Sequence, residues 1–87
     1  MIVRTNHQLG AAIKGRRQEL GLTQRKLAEK IDMTTRALIE IESGKGNPRM
    51  SSLLNCLDAL GMEMIIEPTP SNLERNTLGI FKRRGEL

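Results

Sequence analysis

Apolar residues return at helical spacing four times along the chain, and each return is bracketed by a start or a stop signal. Leu9, Ala12, Ile13 and Leu20 follow Thr5-Asn6-His7-Gln8, whose T-x-x-Q spacing fits a capping box, and run up to Gly21, a natural C-terminal stop. Leu27, Ala28 and Ile31 follow Thr23, which fits an N-cap. A third helix begins after Thr34, with Leu38 and Ile41 turned inward. Ser43 to Pro48 is a loop by composition. A fourth helix is predicted from about Met50 to Leu60, with Leu53, Leu54, Leu57 and Leu60 as its apolar face and Gly61 as its end. Met62 to Glu67 then changes character: β-branched, nearly alternating and closed by Pro68, it predicts a single strand.

Only Asp32, Met33 and Thr34 separate the second and third helices, a length that forces a tight corner of the helix-turn-helix kind. Two helices at a steep angle are a device for entering DNA. The residues that build the corner are LTQ at 22–24, LAEKI at 27–31 and a T-x-x-x-L-x-x-I-E-x-G segment from Thr34 to Gly44. Together they resemble the Cro/C1-type (XRE-like) helix-turn-helix family. The resemblance implies an all-α fold, a lambda repressor-like domain of four to five helices, and the pattern adds a short C-terminal β-strand. Two positions depart from the family: Asp32 stands where relatives usually have Gly, and Arg49 where they often have a capping Ser or Thr.

Composition narrows the function classes. With 87 residues, 38% of them hydrophobic, no Trp, no Tyr and one Phe, the chain makes one domain with a small aliphatic core and no room for a large catalytic pocket. Fourteen Lys and Arg against 10 Asp and Glu leave a charge of +4, which suits a polyanion but is also common on solvated surfaces. Cys56 has no second cysteine to pair with and lies close to the apolar face of the fourth helix, so it reads as a small core residue. His7 is the one histidine, and neither metal-ligand spacing nor a Gly-rich phosphate loop occurs. No catalytic residue, metal, cofactor or small-molecule substrate is therefore expected, and the chain does not read as an enzyme. No apolar run approaches the ~20 residues of a membrane span, and the N-terminus lacks a secretory h-region, so no membrane partner and a cytoplasmic location are expected.

Arg17 falls on the apolar stripe of the first helix, where a charge needs a partner. Glu42, beside Ile41 at the edge of the inward face of the third helix, is the expected one. The family resemblance implies the same, since matching positions in phage-repressor relatives carry a buried Arg–Glu pair. The alternative is that each charge is solvated.

A lone strand leaves its backbone donors and acceptors unpaired. The Met1 to Arg4 segment could pair with it, but the same strand of a second subunit across a two-fold axis would satisfy both copies at once. The expectation is a homodimer sealed by an intersubunit ribbon through Met62, Met64, Ile65 and Ile66, with apolar packing from the fourth helix. The alternative is a frayed apolar tail. Residues 1–67 are then the DNA-binding and dimerisation domain, and 68–87 a flexible C-terminal tail. In that tail Ser71-x-x-Glu74 could cap a short helix, and Leu78, Ile80 and Phe81 beside Lys82-Arg83-Arg84 could dock on a partner protein or on DNA, or be merely solvated.

On an ideal helix, at about 100° per residue, Thr35, Arg36, Ile39 and Glu40 gather opposite Leu38 and Ile41 and form the expected reading face. Arg36 can bond guanine O6 and N7, Glu40 can accept from cytosine N4, Thr35 can bond a base edge or touch a thymine methyl, and Ile39 adds apolar contact. Glu40 can instead orient Arg36 one turn away. Thr34 and the helix N-termini beside it and at Gln24 can meet phosphates. The resemblance implies that Gln24 bonds a phosphate and braces the third helix, and that Lys45, Asn47 and Arg49 contact the DNA backbone. Lys14, Arg16, Arg25 and Lys26 add general attraction or are ordinary solvated charges.

The whole layout over about residues 4 to 67, R-T-N-H-Q-L-G, four helices, G-K-G-N-P and D-A-L-G-M-E-M-I-I-E, is similar to HipB-like antitoxins. That resemblance implies a dimeric repressor of a toxin–antitoxin operon that binds palindromic operator DNA and holds a HipA-like serine/threonine kinase toxin inactive. The alternative is a stand-alone XRE-family transcription regulator without a toxin partner.

Overall fold

The computed structural model describes residues 2–68; Met1 and residues 69–87, with the expected tail helix, apolar cluster and basic triplet, lie outside them. Four helices follow in order: α1 (Asn6–Glu19), α2 (Gln24–Lys30), α3 (Thr35–Ser43) and α4 (Met50–Ala59). Threonines start the first three. The hydroxyl oxygens of Thr5, Thr23 and Thr34 accept from the backbone N–H groups of Gln8, Lys26 and Ala37, each at 3.1 Å. A cap of this kind is worth about 1 kcal/mol. The box at α1 closes one residue early, because Gln8 Oε1 accepts from the Arg4 N–H at 2.6 Å rather than from Thr5. α4 starts at Arg49 with no side-chain cap, and its far end is closed by Arg16, whose Nε donates to Leu60 O at 3.0 Å.

At the corner between α2 and α3, Asp32 takes the left-handed conformation (φ 53°) that a glycine would adopt there. Asp is among the few side chains that tolerate this region. The Met33 N–H then donates to Ala28 O at 2.9 Å, so the turn closes without a glycine.

The core is aliphatic. Ile13, Leu27, Leu38, Cys56 and Leu60 are wholly buried, joined by Ala28, Ile41, Leu53 and Leu57, with Leu9, Leu22, Ile31, Met33 and Met62 at the margin. Two residues assigned to the apolar faces by periodicity are instead exposed, Leu20 and Leu54. Leu20 is the C-cap of α1, after which the chain reverses at Gly21 (φ 72°) and Leu22 packs inward instead. Leu54 lies about 100° around the helix from Leu53, whereas Cys56 and Leu57 fall within about 60° of it, so the buried stripe of α4 runs through Leu53, Cys56 and Leu57 and passes Leu54 by.

α3 is the middle layer, packed on both α1 and α2, while α4 packs on α2. Its crossing with α1 is made by main chain. A Cβ on Gly10 would collide with the Ile41 carbonyl oxygen and lie 2.6 Å from that of Glu42. Gly44, left-handed at the end of α3 (φ 76°), meets α1 in the same way: a Cβ there would stand 2.7 Å from His7 Cα. Only glycine permits so close an approach.

After α4 the Met62 N–H donates to Leu57 O at 2.8 Å, and Met62 turns onto the core. No strand occurs among the described residues, where Met62 to Glu67 makes no ladder with Ile2 to Arg4. Ile65 and Ile66 stand 71% and 89% exposed.

Candidate nucleic-acid interface

Thr34 starts α3 with its side chain in solvent, and the four residues expected on the reading face, Thr35, Arg36, Ile39 and Glu40, are all exposed while Leu38 and Ile41 are buried. The fold thus brings them together on one open flank. Arg36 Nε lies 3.6 Å from Glu40 Oε1, one turn away, with the two side chains 90% and 49% exposed. That separation is an ion pair but too long for a hydrogen bond, so the donors of Arg36 stay available.

Behind this flank the expected Arg17–Glu42 pair is present and buried. It is bidentate: Arg17 Nε donates to Glu42 Oε2 at 2.7 Å and Nη2 to Oε1 at 3.0 Å. Arg17 Nη1 also donates to Leu22 O at 2.8 Å, and Gln24 Nε2 donates to Glu42 Oε1 at 3.1 Å. One carboxylate therefore gathers α1 through Arg17 and the start of α2 through Gln24 onto α3. Planar, charge-assisted bonds of this sort fix orientation as well as adding energy. The Gln24–Glu42 bond was not legible from spacing; a polar residue opening α2, 18 positions before a buried Glu, becomes a signal only once the helix angle is known. Gln24 keeps a second N–H and its carbonyl oxygen for an outside partner.

Lys45, Asn47 and Arg49 lie exposed on the loop that follows α3. The Lys45 N–H donates to Glu40 O at 2.9 Å, tying the start of that loop to α3. A shallow concavity beside the flank is lined by Met33, Ala37, Glu40, Lys45, Asn47 and Ser52, of which Met33, Ala37 and Ser52 were not singled out by the sequence. Arg16 and Arg25 are already engaged, with Glu19 at 3.5 Å and Glu29 at 3.4 Å. Burial, reinforced by the nearby Glu42 charge, pushes the Cys56 thiol above its ordinary value of 9.0. Among the described residues no group of side chains could hold a metal ion, and no helix is long and apolar enough to cross a membrane.

A short helix pair at a tight corner, its second helix buried on one side and polar on the other, defines a helix-turn-helix DNA-binding module. The helix-turn-helix family model (HTH_3) matches residues 13–66, and the chain belongs to that family as a transcriptional regulator of XRE type rather than an enzyme. An HTH-type transcriptional regulator from Methanothermobacter thermautotrophicus is 40% identical over 53 residues, 61% of this chain and 77% of that protein. Among solved structures, a chain of a HipA–HipB–O2–O3 complex superposes with a TM-score of 0.72 at 28% identity, covering 79% of this chain and 97% of that one. A chain of a HipB–O4 20mer complex gives 0.72 at 26% identity, covering 79% and 97%. ClgR, the clp gene regulator from Corynebacterium glutamicum, gives 0.62 at 25% identity, covering 92% and 79%. Within its family the chain is HipB-like.

Proposed function

We propose that this chain is a HipB-like antitoxin: a homodimer that binds a palindromic operator, represses its own operon and holds a HipA-like serine/threonine kinase toxin inactive. The observation that carries the reading is the superposition on HipB over nearly the whole of that chain, in a HipA–HipB–O2–O3 complex and a HipB–O4 20mer complex. In this reading Thr35, Arg36, Ile39 and Glu40 contact base edges, while Gln24, Thr34, Lys45, Asn47 and Arg49 contact phosphates and set register. Met62, Met64, Ile65 and Ile66 pair with their copies across the two-fold axis, and residues 68–87 form a separate tail. Affinity falls steeply as salt rises, because each neutralised phosphate releases counterions.

The test of the partner is co-purification from native extract followed by mass identification. A kinase recovered in stoichiometric amount, with its phosphoryl transfer suppressed in the complex, is the expected result; operator binding by a chain that recovers no kinase overturns the antitoxin half. The second reading, a stand-alone regulator, is favoured by the 40% identical relative, which is described only as a transcriptional regulator.

A further inference from the structure

We infer that Arg36 and Glu40 act as one unit that reads a single G·C base pair in each half-site, rather than as two contacts to separate base pairs. The inference rests on the reading of α3 as the base-contacting helix and names what part of that helix recognises.

In the major groove a G·C pair presents two acceptors, guanine N7 and O6, followed by one donor, cytosine N4. The complementary surface is two donors followed by an acceptor. Arg36 and Glu40 offer that order on one flank of α3, and Nε of the first stands 3.6 Å from Oε1 of the second. Guanine O6 and cytosine N4 are themselves hydrogen-bonded across the pair, so they lie roughly 3 Å apart. The spacing of the protein groups therefore matches the spacing of the base groups without the charges having to part. Arg36, 90% exposed, is long enough to bring its guanidinium fork to N7 and O6 while Glu40 stays alongside.

The position of Glu40 adds the discrimination. Its second oxygen lies on the Gly46 side, where a Cβ would stand 3.1 Å from it, and its backbone carbonyl is held by the Lys45 N–H and the Ser43 hydroxyl at 2.9 Å and 3.0 Å. The loop thus anchors the turn that carries the carboxylate. An ionised carboxylate accepts and never donates. Opposite A·T it meets a thymine O4 acceptor, and with the pair reversed the Arg36 fork meets the cytosine amino donor. A negative charge on a face turned toward a polyanion is otherwise unfavourable, and an exposed i,i+4 ion pair by itself adds little stability.

The experiment selects binding sites for the full-length protein from a randomised duplex library. It then repeats the selection with Arg36→Ala, Glu40→Gln and the double variant, with melting temperatures confirming that each is folded. The expected result is one G·C position per half-site that loses its preference, roughly tenfold or more, in each single variant. The double variant is expected to lose no more there than the worse single one. Relaxation at two different base pairs, or a change with Arg36→Ala alone, overturns the shared unit while leaving α3 as the reading helix. A selected sequence that none of the three variants alters overturns both, as does a wild-type protein that selects no sequence.

Discussion

Two single residues show how local chemistry sets this fold. Asp32 holds a left-handed turn (φ 53°) of the kind glycine adopts most readily, and L-residues pay roughly 1–2 kcal/mol there, less for Asp than for most. Asp32→Gly should therefore keep or raise stability, by up to about 1 kcal/mol after the added chain entropy of glycine is subtracted. Asp32→Val should lower it by more than that, because a β-branched side chain is a genuine outlier at this φ. Denaturant midpoints of the three proteins check the order. Cys56 gives a pH dependence. Its thiol titrates higher in the folded chain than in the unfolded one, so its contribution to stability is intact below pH 9 and is lost as pH rises through and beyond that value. As pH rises above about 9, the melting temperature should decline more steeply for the wild type than for Cys56→Ala, which carries a constant cavity cost.

At the scale of elements, much was legible and the failures have physical causes. Thr5, Thr23 and Thr34 are read as helix starts because capping depends on residues within one turn. The Arg17–Glu42 pair is legible because a charge on an apolar stripe demands a counter-charge. Leu20 and Leu54 mislead because periodicity knows the face of a helix but not where the core ends. The Gly10 crossing, the Arg16 closure of α4 and the Gln24 bond depend on interhelical approach, about which spacing along the chain is silent. The pairing across helices is testable. Removing the carboxylate alone with Glu42→Ala should cost about 3–5 kcal/mol, because Arg17 is left buried and unpaired. Arg17→Met together with Glu42→Leu should recover most of that loss in a denaturant titration. α4 offers the reverse case. Its N-cap, Arg49, makes no capping bond, so Arg49→Ser should stabilise the protein by about 0.5–1 kcal/mol. If Arg49 also meets a phosphate, the same change should weaken binding to every DNA sequence alike and flatten the salt slope by close to one charge. Fluorescence anisotropy at several salt concentrations separates the two effects.

For the molecule as a whole, the proposed homodimer is the feature to test. The segment after Met62 leaves Ile65 and Ile66 in solvent and makes no ladder among the described residues. Ile66→Glu, a change at a side chain 89% exposed, should leave the melting profile of the monomer fold intact. It should also shift the protein from dimer to monomer by sedimentation at micromolar concentration, and operator affinity should fall with it, since each subunit then holds one half-site alone. An unchanged dimer would place the contact elsewhere.

The glycine crossing between α1 and α3 has a consequence for how such a regulator can change its target. Because Gly10 leaves no room for a Cβ against the carbonyl oxygens of Ile41 and Glu42, α3 is gripped on its inner side by its peptide groups and by the Glu42 network, none of which involves the side chains of Thr35, Arg36, Ile39 or Glu40. Those four positions can be rewritten with almost no penalty in folding. In the proposed reading, a duplicated gene could therefore acquire a new operator by a few point substitutions while the scaffold beneath stays fixed, and paralogues within one genome can diverge in address without diverging in architecture.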